Sequence, residues 1–229
     1  MPIALSEAEK PVTEAEGYAV QADVTAVLGE IGGWKVGAAG SEAPPSCAPL
    51  PAAGILPSGT ALDASFSDRL VEAEIAFKMA ADLPPRETPY SRAEVIAAIG
   101  SCHPVIEIVQ WRIQGYATAT NPVKLADSAG HGALIVGQAI ADWQAIDFPA
   151  LGVTQEIEGA APQQRTGNPA GDMIRLITWL ADEGAVWAGG LKAGQMVTCG
   201  SWTGCLPAPA GAGVRVTFAG QKPVSVSFS

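Results

Sequence analysis

Positive charge is scarce in this chain. Thirteen lysines and arginines stand against 23 aspartates and glutamates, a net charge of −10 over 229 residues. Such a balance argues against nucleic acid and anionic membranes as partners, because both are polyanions. It still permits a small anionic substrate, since one lysine or one metal ion inverts the field locally. Cysteine is sparse too. Cys47, Cys102, Cys199 and Cys205 make no CxxC pair and no zinc-type spacing, so they read as small buried thiols. The opening "MPIALSEAEKPVTEAEG" has acids and prolines but no long apolar run, which fits neither a signal peptide nor a membrane anchor. A cytoplasmic protein is expected.

Hydrophobic residues are plentiful, at 48%, and so are glycine (26) and proline (18). A sizeable core broken by many turns and short strands follows. The length suits one domain over 1–229, with residues 1–32 as a helical segment packed on it.

Helix signals are few. Residues 13–33 read as a helix opened by a Thr13–Glu16 capping box and stopped by Gly32-Gly33. Residues 91–100 repeat the pattern with Ser91 and Glu94. Residues 168–184 read as the clearest helix, with Asn168 as its cap, Pro169 at its first position and Gly184 at its end. Ile174, Ile177, Leu180 and Ala181 form its apolar stripe. Strand character marks 33–39, 71–77, 104–109, 130–140 and 148–167, and the tail alternates short strands with turns. The Pro- and Gly-rich stretch 41–59 reads as loop. Few helices among many strands predict an α+β fold with a mixed or rolled sheet.

The stretch "VEAEIAF" (71–77) poses a chemical question. Alternation puts Val71, Ala73, Ile75 and Phe77 on one face and Glu72 and Glu74 on the other. The two acidic Cβ atoms are then roughly 7 Å apart, a repulsion of about 2 kcal/mol at an effective dielectric near 20. Bulk water offsets that, and so does a bound cation. Glu107 is a third acid, inside the apolar strand "PVIEIV", where an isolated carboxylate is costly. Two glutamates on one strand face with a third from another strand suit Mg²⁺ or Mn²⁺, which take hard oxygen ligands. A solvated sheet face for Glu72 and Glu74 is the alternative.

An ordered set of stretches carries a family resemblance: "GYAVQ" (17–21), "GWKVG" (33–37), "EAEIAF" (72–77), "HPVIEIV" (103–109), "ADSAGHGALIVG" (126–137), "TWLADEG" (178–184), "LKAGQMVTCGSWTG" (191–204) and "VRVTFAGQKPVSVSF" (214–228). Together they resemble the 2-keto-4-pentenoate hydratase and 4-oxalocrotonate decarboxylase family, within the fumarylacetoacetate hydrolase superfamily. The resemblance implies a mixed β-roll with a few peripheral helices, a divalent metal (Mg²⁺ or Mn²⁺) and a homo-oligomer, in some cases associated with a pathway decarboxylase or hydratase. By position, Glu72, Glu74 and Glu107 match the metal ligands and Lys35 the active-site lysine.

The substrates so implied are short 2-oxo or 2-hydroxydienoic acids, whose carboxylate and 2-oxygen chelate the metal so that an enolate is stabilised. Hydration of 2-hydroxypenta-2,4-dienoate to 4-hydroxy-2-oxopentanoate is the favoured expectation. A 4-oxalocrotonate-type decarboxylase, an acylpyruvate hydrolase and a non-catalytic assembly partner are the alternatives. Asp127 and His131 are further catalytic candidates, and Ser128, Ser201 and Thr203 are candidates for the substrate wall. His103 is a candidate partner to the metal site. Gln110-Trp111-Arg112 stands where the family has Asp-Ser-Arg, and the loop after "GWKVG" is short and proline-rich.

Overall fold

The computed structural model describes residues 2–229. Thirteen strands are present among them: β1 (Ile31–Gly37), β2 (Ser46–Pro51), β3 (Ile55–Pro57), β4 (Thr60–Leu62), β5 (Leu70–Met79), β6 (Ile99–Val109), β7 (His131–Val136), β8 (Gly152–Ile157), β9 (Gln163–Thr166), β10 (Met196–Thr198), β11 (Leu206–Pro207), β12 (Gly213–Phe218) and β13 (Val224–Phe228). The helices are α1 (Glu14–Leu28), α2 (Arg92–Ala98), α3 (Asn121–Ala126) and α4 (Met173–Trp179). No helix among the described residues is long and apolar enough to cross a membrane.

The strands make two open mixed sheets. The larger runs β2-β1-β10-β5-β6-β7-β3, with β11 pairing β5, and the smaller runs β4-β13-β12-β8-β9. The α+β expectation therefore holds. The long antiparallel pair β5–β6 is the spine, and its register sets Glu72 opposite Glu107 and Glu74 opposite Val105. Alternation sends Val71, Ala73, Ile75 and Phe77 into the main core, which also takes Val214, Val216 and Phe218 of the second sheet. The acid-bearing face carries a smaller cluster of Leu50, Ala76, Val105, Leu134 and Met196. One buried latch crosses between the sheets: Thr203 donates to Gln155 Oε1 of β8 and accepts from the Ala73 amide of β5 (3.3 Å).

Both predicted capping boxes form, at Thr13–Glu16 and Ser91–Glu94. Three other boundaries differ from the sequence reading. Helix α1 ends at Gly29 (φ +97°) rather than at Gly32-Gly33. Gly33 instead lies in β1, where a Cβ would sit 2.3 Å from the Met196 carbonyl oxygen of β10. Its small size serves strand packing. Residues 41–59 are not all loop, because they hold β2 and β3. Prolines are tolerated in β2 because it is the edge strand of its sheet. The helix expected from Asn168 starts at Asp172, whose carboxylate accepts from the Ile174 amide (3.0 Å). Asn168 forms a local turn to the Ala170 amide (2.9 Å) and donates to the Cys199 carbonyl (2.8 Å). Gly171, at φ +77°, separates that turn from the helix.

Helix α1 docks through small and polar residues. Gly17, Gln21 and Thr25 face inward, and Gln21 donates to the carbonyls of Leu125 (2.9 Å) and Cys47 (3.3 Å). A Cβ on Gly17 would lie 2.5 Å from the Pro122 carbonyl oxygen. Gly17→Ala should therefore push α1 off α3 and cost about 1–3 kcal/mol through overpacking, despite alanine's better helix propensity. Urea unfolding followed by circular dichroism checks this: the midpoint should fall, not rise.

Candidate metal centre

Glu72, Glu74 and Glu107 converge. One carboxylate oxygen of each lies within 4.8 Å of the others. Glu74 and Glu107 are buried, at 2% and 0% exposure, and Glu72 is half-buried. Glu74 Oε2 accepts from the Thr198 hydroxyl and from the Gly200 amide (3.1 Å). Glu107 Oε1 accepts from Lys35 Nζ (2.6 Å) and lies 3.0 Å from His131 Nδ1. Its second oxygen, Oε2, is buried without a partner. An ionised oxygen in that position is rarely left bare, because its desolvation is uncompensated. An all-carboxylate donor set with one bare oxygen fits a hard divalent cation.

Lys35 comes from β1 and reaches over the cluster. It also donates to the Ala129 carbonyl (3.2 Å), which a tight turn presents. Ser128, Ala129 and Gly130 all have left-handed backbones, at φ +50°, +49° and +72°. For the two non-glycine residues that conformation costs about 1–3 kcal/mol each. The strain is held at the site, beside Lys35.

The electrostatics follow the geometry. Burial pushes Glu72 up, the Glu107 charge pushes it further, Lys35 pulls it back, and it comes to rest at about 7. Burial, with Glu107 and Glu72 beside it, raises Glu74 well above the usual carboxylate range. Burial would raise Glu107 as well, but the Lys35 ammonium and His131 outweigh it and hold it low. Lys35 is pulled down by burial and pushed up more strongly by the three carboxylates, so it stays charged. Burial lowers His131 despite its contact with Glu107, which leaves a neutral ring.

The other candidates occupy different places. Asp127 is buried under Arg112, which donates to its Oδ1 through Nε (2.7 Å), to its Oδ2 through the backbone amide (3.1 Å) and to its carbonyl (2.6 Å). Ser128 is buried in the strained turn. The Ser201 hydroxyl lies beside Glu72 without a well-formed hydrogen bond. Thr203 is engaged in the latch between the sheets. His103 lies between Ser101 Oγ (2.8 Å) and the Gly137 carbonyl (2.9 Å), along β6 from Glu107. Two contributors escaped the sequence reading. Thr198 holds Glu74, and Arg112 anchors the turn that presents Ala129. Strand alternation in "MVT" marks Thr198 as facing the acids only once the β10–β5 pairing is known.

No family model matches the chain. The 2-hydroxyhexa-2,4-dienoate hydratase of Comamonas testosteroni is 27% identical over 159 residues, covering 69% of this chain and 59% of the hydratase. A 4-oxalocrotonate decarboxylase of Pseudomonas sp. strain CF600 is 28% identical over 180 residues, covering 76% of this chain and 65% of the decarboxylase. A solved 4-oxalocrotonate decarboxylase of Pseudomonas putida G7, complexed with magnesium and adipate, superposes at a TM-score of 0.82 with 25% identity, over 95% of this chain and 86% of that one. The chain is similar to these hydratases and decarboxylases in sequence and, for the solved decarboxylase, in fold. It spans about three fifths of the length of the curated relatives it matches. A Yersinia pestis protein assigned to the fumarylacetoacetate hydrolase family shares the fold, at a TM-score of 0.63 and 20% identity.

Two outcomes are expected. A raised folded pKa stabilises the metal-free protein below the ordinary carboxylate range, and that contribution is lost as pH rises through about 7, where Glu72 ionises. Divalent metal should reverse this loss, and its uptake should release protons and weaken as pH falls below about 7. Calorimetric titration of Mg²⁺ in buffers of different ionisation enthalpy reads the proton release directly. Thr198→Val should lower Mg²⁺ affinity about 10-fold or more by freeing Glu74, as loss of a ligand's hydrogen-bond partner generally does.

Proposed function

We propose that the chain is a divalent-metal-dependent lyase acting on short 2-oxo or 2-hydroxydienoic acids, with hydration of a 2-hydroxydienoate to a 4-hydroxy-2-oxo acid as its reaction. The observation that carries this reading is the convergence of Glu72, Glu74 and Glu107 under a charged Lys35. A divalent ion held by the three carboxylates would supply Lewis-acid charge for the substrate's 2-oxygen.

The chain's own residues then do the rest. Lys35 Nζ, charged across the neutral range, donates hydrogen bonds to the substrate carboxylate and sets its orientation. Thr198 and the Gly200 amide fix Glu74, and His131 with Lys35 fixes Glu107, so the cradle keeps its shape when the substrate arrives. Burial of the cluster keeps bulk water away from it.

The adjoining cavity, of about 220 Å³, favours hydration over decarboxylation of a diacid. Lys35 is the one cation in its lining, and the rest beside the two glutamates is small and uncharged, including Ala38, Ser46, Ala129 and Ser201. The far carboxylate of a dicarboxylic acid finds no positive partner there, whereas an uncharged dienoate tail does not need one. Decarboxylation is the second reading, supported by the decarboxylase relatives and by the adipate and magnesium of the P. putida structure. The hydrolase reading needs a base poised at the acidic pocket, and neither His131 nor His103 lines it.

The test follows the ultraviolet absorbance of 2-hydroxypenta-2,4-dienoate with Mg²⁺ and then with EDTA. Metal-dependent loss of the dienol with a 4-hydroxy-2-oxo acid as product is expected. Carbon dioxide release from 4-oxalocrotonate, with the dienol untouched, selects the second reading. Glu74→Gln should abolish turnover and weaken Mg²⁺ binding while leaving the circular dichroism spectrum unchanged.

A further inference from the structure

A second cavity opens on the core side of β5, away from the glutamates. It holds about 560 Å³ and lies between α2, the start of α4 and the crossover segment 142–150. Trp143, Ile146 and Phe148 line it and are half-buried, so part of each side chain still meets solvent. Trp143 and Phe148 both lean on the buried ring of Phe77, with centroids 5.3 and 6.1 Å away and planes at 69° and 70° to it. One shared ring therefore steadies two aromatic walls. The size and apolar lining are those of small-molecule sites, which pair an apolar body with a few placed polar groups.

The charged groups at this cavity do not balance. Its lining carries Asp147 and Asp172 against one arginine, Arg92. Arg92 and Asp172 pair with each other, and Asp172 also caps α4 through the Ile174 amide (3.0 Å). Asp147 is the carboxylate left over. It stands just before the short turn Phe148–Ala150, where an aspartate ordinarily folds back onto the amides that follow. Here it makes no such bond and stays exposed. Aromatic faces carry partial negative charge and attract cations. The spare carboxylate and the two aromatic walls thus favour a guest of the same sign.

We propose that this cavity binds a small organic cation, a protonated amine on an aromatic body, with its ammonium at Asp147 and its ring against Trp143 and Phe148. An anion meets repulsion from Asp147, and Asp172 already neutralises Arg92. A neutral molecule gains the apolar contact alone. The site is separate from the acidic pocket, since the two share no lining residue.

The probes are 2-phenylethylamine, 2-phenylethanol and 3-phenylpropionate, which share a body and differ in charge. Calorimetric titration of the full chain near neutral pH, with Mg²⁺ in excess to occupy the glutamates, should show the amine binding at least 5-fold more tightly than the alcohol. The carboxylate should bind most weakly. In Asp147→Asn the amine should lose most of its lead over the alcohol. In Gln144→Trp, a substitution at an exposed lining residue that fills the cavity, amine binding should vanish while the melting temperature and Mg²⁺ affinity stay at wild-type values. Equal affinity for amine and alcohol overturns the proposal. So does a lead that Asp147→Asn leaves intact, or absence of amine binding at millimolar concentration. Amine binding seen only without Mg²⁺ also overturns it, because the amine would then sit among the glutamates. A wild-type dimer that Gln144→Trp dissociates, with no uptake of amine, does the same, since a second copy would then cover the cavity.

Discussion

Three carboxylates gathered out of water are the constraint on which the rest of this structure depends. With oxygens within 4.8 Å of one another, each ionised pair would repel by about 3–4 kcal/mol even at an effective dielectric near 20, and burial adds to that. The fold meets the cost unevenly. Glu107 receives a lysine and a histidine and stays ionised, Glu74 receives a hydroxyl and an amide, and Glu72 is left at the pocket with little support. The uneven support produces the spread in their acidities, with Glu107 held low and the other two raised. A cluster built this way has a pronounced affinity for positive charge, and one lysine does not satisfy it.

Several surrounding elements serve this cluster as well as the core. Glycine at position 33 lets β1 come close enough to β10 for Lys35 and Thr198 to be neighbours in register. The strained turn at Ser128–Gly130 supplies a carbonyl for the same lysine. Arg112 fastens that turn by donating to Asp127 and to the His131 carbonyl (2.6 Å). Trp111 stacks on Tyr116 with ring centroids 5.3 Å apart, so the Gln-Trp-Arg departure from the family pattern is filled by packing.

Local rules of the chain made much of this legible. The capping boxes at Thr13 and Ser91 and the alternation in "VEAEIAF" depend on neighbours within a few residues, and they held. That Glu72, Glu74 and Glu107 belong together was suggested by three acids in apolar strands and by the family resemblance, whereas the register that sets Glu72 opposite Glu107 was not. Elsewhere tertiary contacts decided. Asn168 has the chemistry of a cap, but the Cys199 carbonyl competes for its side chain. Pro49 and Pro51 look like loop residues because nothing local reveals that β2 lies at a sheet edge. Thr198 is one hydroxyl in a short strand, and its bond to Glu74 spans most of the chain. The polarity of α1 could not be read from periodicity, because its valines face outward.

The strand order has a consequence for how the protein comes into being. β10 lies between β1 and β5, so the lysine strand and the glutamate strand never pair with each other. Each is joined to the other only through Met196–Thr198. As the chain leaves the ribosome, Lys35, Glu72, Glu74 and Glu107 all emerge before the segment that brings them into one sheet. A chain cut short before β10 would carry Lys35 and the three glutamates without the strand that joins them in one sheet.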